Sequence, residues 1–198
     1  MPKRTGKQLC NDGVETFVVL DFDGVLNAMT NGTFPKQLFG KLEHFNQAVF
    51  VDGGLRLIFP ITYSTEMIDR LNTLLADQVT QLCWLTSWRE QVLEPAKKMG
   101  LMSARPPVIV GYLETRESNQ DGKPAGLDKF LAGVPDDAKV VWVDDTLHNG
   151  ASLFHTQLVE YYLRERLHQR FLLIGPDERY GISRDQMGEI EDFVNGSD

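Results

Sequence analysis

The sequence predicts an α/β fold: a three-layer α/β/α sandwich built on a central parallel sheet. Two observations carry this expectation. Short, continuously apolar runs end abruptly at polar residues, as strands buried on both faces do, and amphipathic helical patterns fill the gaps between them. A third feature, two apolar runs around a turn directly after the first strand, predicts a small β-hairpin flap interrupting the alternation. At 198 residues the chain is expected to form one domain over 1–198, with the flap insert occupying 27–63.

The first predicted strand is Phe17-Val18-Val19-Leu20, which stops at Asp21. The hairpin follows, with Val49-Phe50-Val51 and Leu55-Arg56-Leu57 on either side of Asp52-Gly53-Gly54. It is expected to project beyond the carboxyl end of the first strand, the edge at which open α/β sheets bind ligands. Met67, Ile68, Leu71, Leu74 and Leu75 then keep helical spacing, with Ser64 or Thr65 placed to cap the start. Leu82-Cys83-Trp84-Leu85 is the next strand, and Val92, Leu93 and Ala96 mark the helix after Trp88. Val108-Ile109-Val110 is a shorter strand candidate, and Leu127, Phe130 and Leu131 mark another helix. Val140-Val141-Trp142-Val143 and Phe171-Leu172-Leu173-Ile174 complete the strands, separated by a helical pattern on Leu158, Val159, Tyr162 and Leu163. Ser183-Arg184-Asp185-Gln186 is a capping box, and Met187, Ile190 and Val194 continue the face of a last helix. Strand-helix alternation of this kind implies right-handed crossovers between parallel strands.

Composition narrows the function classes. The apolar share of 42% and charged share of 24% are ordinary for a globular protein and exclude a disordered or disulfide-stapled chain. A formal charge of −8 excludes binding to nucleic acid through a general electrostatic coat, although a local basic groove stays open. Arg164, Arg166, His168 and Arg170 form one basic run, but Glu160 and Glu165 interleave with it, and it reads as a solvated helix face. Cys10 and Cys83 have no CxxC or Cys/His spacing, so neither is expected to do chemistry. The basic stretch Met1–Lys7 is not followed by an apolar run, and no run is long enough to span a bilayer. A cytoplasmic protein without a membrane partner is the expectation.

The chemistry-bearing residues gather at predicted strand ends. Asp21 and Asp23 in Leu20-Asp21-Phe22-Asp23-Gly24 leave a buried strand, and Gly24 lets the backbone turn and its N–H groups approach an anion. An Asp-Gly turn alone could look the same. Asp144 and Asp145 end another strand, where adjacent acids repel each other unless a cation is near. Such hard oxygen ligands suit Mg²⁺, which takes a few carboxylates plus a substrate phosphate. Thr86 in Leu85-Thr86-Ser87-Trp88 places a hydroxyl where it can bond a phosphate oxygen or merely cap a helix. Lys123, in Gly122-Lys123-Pro124, stands at a helix start, and Lys129 lies one to two turns further on.

In the order Asp-x-Asp, Thr, Lys, Asp-Asp, these residues resemble the signature of the haloacid dehalogenase (HAD) superfamily of phosphohydrolases, over about residues 17 to 150. Trp84-Leu85-Thr86-Ser87-Trp88, Phe171–Asp177 and Gly181-Ile182-Ser183 resemble, more narrowly, the phosphatase-like domain of modular RNA-repair proteins. The resemblance implies Asp21 as the nucleophile that forms an aspartyl-phosphate, and Asp23 as acid toward the leaving oxygen and base toward water. It implies Mg²⁺ held by Asp21, the Asp23 carbonyl and Asp144, with Asp145 a ligand directly or through water. Thr86 and Lys123 would hold phosphate oxygens, with the choice between Lys123 and Lys129 left open, and Phe22, Gly24, Ser87 and Trp88 would line the substrate. A second carboxylate two residues after the nucleophile marks the phosphatases of this superfamily, so the resemblance points to phosphomonoester hydrolysis.

In the enzymes this chain resembles a small cap goes with bulky substrates, so the resemblance favours a nucleic-acid end or a phosphoprotein over a free sugar phosphate; a nucleic-acid end or nucleotide is the substrate expected. A receiver domain uses similar residues, but there the acidic pair comes first in the chain. A non-catalytic module that keeps the fold is the other rival, and it would be expected to lose Asp21 or Asp23.

Overall fold

The computed structural model describes residues 13–29, 40–51, 54–110, 122–148 and 170–196. In chain order these contain β1 (Thr16–Leu20), β2 (Leu42–Val51), β3 (Leu55–Ser64), α1 (Thr65–Leu75), β4 (Thr80–Trp84) and α2 (Leu93–Lys98). Then follow β5 (Val108–Ile109), α3 (Gly122–Leu131), β6 (Lys139–Val143), β7 (Phe171–Ile174) and α4 (Arg184–Asn195). The predicted helix on Leu158–Leu163 and most of the Arg164–Arg170 run lie outside the described residues, as do Cys10 and parts of the 27–63 insert.

Strands β1, β4, β5, β6 and β7 form one sheet in the order β5-β4-β1-β6-β7, with every neighbour pair parallel. Alternate residues of its buried strands enter two separate cores. Val18, Leu20, Leu82, Trp84, Val141 and Val143 pack with Met67, Ile68 and Leu71 of α1, Ala96 of α2, and Met187 and Ile190 of α4. Phe17, Val19, Cys83, Val140 and Trp142 pack on the other side with Leu127 and Phe130 of α3. The predicted sandwich with its parallel sheet is therefore what forms. Ser64 is the residue that caps α1, accepting from Met67 N at 3.2 Å. The Ser183 capping box forms at α4 as well.

The chain order fixes where a crevice must open. From β1 it moves to β4 and β5 on one side, then crosses back to β6 and β7 on the other. The β1/β6 boundary is thus a topological switch point, where loops leave the sheet in opposite directions. Leu20 pairs in register with both Trp84 and Val143, so Asp21, Leu85 and Asp144 leave the sheet at one level.

The insert is a hairpin, but longer than the sequence pattern suggests: β2 and β3 pair antiparallel from Leu42↔Ser64 to Val51↔Leu55. Phe45, Phe59 and Ile61 turn toward the first core. At its far end Phe50 N donates to Gln91 Oε1 at 2.7 Å, and Gln91 Nε2 donates back to Phe50 O at 2.8 Å.

Candidate active site

Asp21 follows the last residue of β1, and its N–H donates to Val143 O at 3.0 Å, which extends the sheet pairing one step past the strand. Asp144 occupies the matching place after β6, with its N–H on Ile174 O at 3.1 Å. Both carboxylates are buried, Asp144 completely. Lys123 lies between them: its Nζ donates to Asp21 Oδ2 and, at 3.1 Å, to Asp144 Oδ2. Lys129 is exposed, so the lysine at the site is Lys123.

The remaining oxygens are satisfied locally. Asp21 Oδ1 accepts from Phe22 N at 2.6 Å, and Asp144 Oδ1 accepts from Thr146 N at 3.1 Å and from Thr146 Oγ1 at 2.5 Å. Asp145 opens a short 3₁₀ turn, Asp145–Leu147, and stands over Gly24. Gly24 has φ +68°, and a Cβ there would lie 2.7 Å from the Asp145 side chain. Glycine is required at this position twice over, by conformation and by space. Ligand oxygens of Asp21, Asp144 and Asp145 all lie within 4.8 Å of one another.

Crowding acids away from water raises their proton affinity. Burial pushes Asp21 up to about 7, against the pull of Lys123 and with a further push from Asp144. Burial, then the charge of Asp144, pushes Asp145 up to about 6. For Lys123 burial acts downward, but Asp21 and Asp144 together outweigh it and hold the ammonium above its ordinary range. Three carboxylates face one ammonium, a net negative, oxygen-lined site that fits a hard divalent cation.

Asp23 turns away from this cluster. Its Oδ1 accepts from Asn27 Nδ2 and its Oδ2 from Trp88 Nε1, both at 2.7 Å. Its side chain is therefore no part of the three-carboxylate cluster. The Trp88 contact joins residues 65 positions apart, a pairing no local spacing reveals, whereas Asn27 stands only 4 positions from Asp23.

The other expected site residues sit as follows. Thr86 is buried just beyond β4, and its hydroxyl accepts from Trp88 N at 3.3 Å, holding the turn that leads into the 3₁₀ segment Arg89–Val92. The helix expected after Trp88 begins as that 3₁₀ turn, and its α-helical part, α2, starts at Leu93. Ser87 is exposed. Phe22 and Trp88 differ from the expected substrate-lining role: Phe22 is fully buried, and the Trp88 ring lies 4.9 Å from Phe22 and 5.5 Å from Phe59. The N–H of Gly24 donates to Asn27 O at 2.8 Å, so it closes the loop rather than facing an anion. Cys83 is buried in the second core, and no helix among the described residues is long and apolar enough to cross a membrane.

A parallel sheet with this aspartate cluster at its switch point is the arrangement of the haloacid dehalogenase superfamily of hydrolases and phosphatases, to which the chain belongs. More narrowly, the family model described as the HAD domain in Swiss Army Knife RNA repair proteins matches residues 17–186, and the chain is a member of that family. No curated protein matches it.

Proposed function

We propose that this protein is a Mg²⁺-dependent phosphatase that hydrolyses phosphomonoesters through an aspartyl-phosphate on Asp21. The observation that carries the reading is the meeting of Asp21, Asp144, Asp145 and Lys123 at the β1/β6 switch point, with Asp23 two residues past Asp21. Asp21, Asp144 and Asp145 would hold the ion, with the Asp23 carbonyl as a further ligand. When bound, the ion offsets the charge of the phosphate and lets an anionic nucleophile approach it.

An Asp21 carboxylate oxygen attacks phosphorus as the bond to the leaving oxygen breaks, and Asp23 gives its proton to that oxygen. Water then attacks the phosphorus of the aspartyl-phosphate, Asp23 takes its proton, and inorganic phosphate leaves with Asp21 restored. Lys123 would hold one phosphate oxygen and Thr86 another; the charge on these oxygens is what such donors stabilise. The substrate we assign is a nucleic-acid end or a nucleotide. The matching family takes its description from RNA repair proteins, and the part of the insert that is described is a hairpin rather than a helical lid.

The test is hydrolysis of p-nitrophenyl phosphate and of 3′- and 5′-phosphorylated oligonucleotides, with Mg²⁺ and with EDTA. Both activities are expected to need Mg²⁺ and to vanish in Asp21→Asn. Full activity in EDTA removes the metal from the reading, and a near wild-type rate in Asp21→Asn removes the nucleophile.

A further inference from the structure

We propose that Trp88 is a positioning residue for Asp23, and that the β2–β3 hairpin holds Trp88 in that role. The proposal rests on the reading of Asp23 as the acid/base. Asp23 sits in the loop after β1, where its side chain has no regular structure to fix its direction. Trp88 Nε1 and Asn27 Nδ2 each take one of its oxygens at 2.7 Å and leave a lone pair on each for the leaving group or water. An indole N–H donates only and exchanges no proton in catalysis, so Trp88 acts through Asp23. Small displacements of an acid/base are costly: an error of about 1 Å can lower a rate by roughly a hundredfold.

Both donors are anchored on the hairpin. Thr62 N, on β3, donates to Asn27 Oδ1 at 2.9 Å, and Ala28 N donates to Thr62 O at 2.8 Å. A backbone N–H can only donate, so Asn27 must turn Oδ1 to Thr62 and thereby Nδ2 to Asp23. Phe59, also on β3, packs 5.5 Å from the Trp88 ring, with Phe22 on the ring 4.9 Å away. The reciprocal Phe50–Gln91 hydrogen bonds fasten the far end of the hairpin to the turn that follows Trp88. Hairpin, Trp88 turn and Asp23 loop are thus linked as one unit, and the flap sets the direction of the acid/base.

Trp88→Phe keeps an aromatic ring in the core and removes the N–H together with the five-membered half of the indole that carries it. It is compared with wild type on an alkyl phosphate and on p-nitrophenyl phosphate, the latter followed as the burst of nitrophenolate in the first turnover. A poor leaving group needs a proton in the transition state and nitrophenolate does not. The expected result is a loss of about tenfold to a hundredfold on the alkyl phosphate with the burst rate changed less than about threefold. In an Asp23→Asn background the same substitution should cost nothing more on the alkyl phosphate, because the group it positions is already gone. Phe59→Leu, on the hairpin and away from the reacting atoms, should give a smaller loss of the same selective kind, and carries the test if Trp88→Phe does not fold. Equal loss on both substrates, or a further loss in the double variant, overturns the proposal while leaving the phosphatase reading intact. A wild-type protein inactive on both substrates removes the phosphatase reading, and this proposal with it.

Discussion

Lys123 Nζ bridges two carboxylates that end adjacent strands, donating to Asp21 Oδ2 and to Asp144 Oδ2, the latter at 3.1 Å. The ammonium is the charge that lets both acids be buried in one place. Its removal leaves the acids facing each other in a poorly solvated site, and stripping one partner from a buried ion pair costs about 3–5 kcal/mol. Lys123→Met should therefore lower unfolding free energy by an amount near that range at pH 8, measured by urea denaturation in EDTA. The loss should shrink at pH 5.5, where the acids can take up protons instead. A stability equal to wild type at pH 8 would show that the bridge carries no net weight. Hydrolysis should fall at least about a hundredfold, since a phosphate oxygen loses its positive partner.

Gly24 and Asp145 touch across the crevice, and the contact is too close for any side chain at position 24. Gly24→Ala places a Cβ 2.7 Å from Asp145 and forces an L-residue to hold φ +68°. Left-handed backbone alone costs about 1–2 kcal/mol. The variant should melt lower than wild type and, because Asp145 must move, should need more Mg²⁺ for half-maximal activity. Unchanged Mg²⁺ dependence would take Asp145 out of the metal site.

Asp23→Asn separates the two aspartates of the first motif. It should slow alkyl phosphates or a nucleotide 3′-phosphate by about 10²–10⁴-fold while p-nitrophenyl phosphate still phosphorylates Asp21. Phospho-enzyme should then accumulate, because the water of the second step has lost its base; acid-quench labelling detects it. Equal losses without trapped phospho-enzyme would give Asp23 a structural role.

The sheet was legible because its strands are buried on both faces and stop at charged residues: Leu20 before Asp21 and Val143 before Asp144 mark both the ends of strands and the start of the site. Lys123 and Lys129 could not be told apart, because which side of α3 faces Asp21 depends on how the helix docks. The hairpin was found at its turn but not at its length. Asn46 and Gln47 in β2, and Pro60 in β3, break the apolar pattern, and only pairing across the hairpin shows that both strands run ten residues. The clamp on Asp23 was hidden for a related reason. Trp88 reads as a substrate-lining residue and Asn27 as the start of the insert, and only the folded chain brings both to the same carboxylate.

The raised proton affinities of Asp21 and Asp145 make stability and metal binding depend on pH in a defined sense. In the folded chain burial pushes Asp21 up to about 7 and Asp145 up to about 6, against 3.8 for a free aspartate side chain. Between pH 4 and 7 the folded state therefore binds more protons than the unfolded state, and unfolding free energy falls as pH rises through that window. Lys123, raised in the folded state, contributes stability that is fully present below its unfolded value of 10.5, so it is constant over this range. Asp177, lowered to about 2 chiefly by its hydrogen bond with Arg179, contributes stability present above 3.8 and lost only as pH falls toward 2. In EDTA, wild type should thus lose stability between pH 5 and pH 8 relative to Asp21→Asn, which cannot ionise at that position. A divalent cation competes with the same protons, so Mg²⁺ should raise the melting temperature more at pH 8 than at pH 5.5. Thermal melts of both proteins, with Mg²⁺ and with EDTA at the two pH values, measure both effects at once. A wild-type minus Asp21→Asn difference that is flat or rising with pH would mean that Asp21 is already ionised at pH 5. Asp21 would then take no part in the competition between protons and Mg²⁺, which would rest on Asp145 alone.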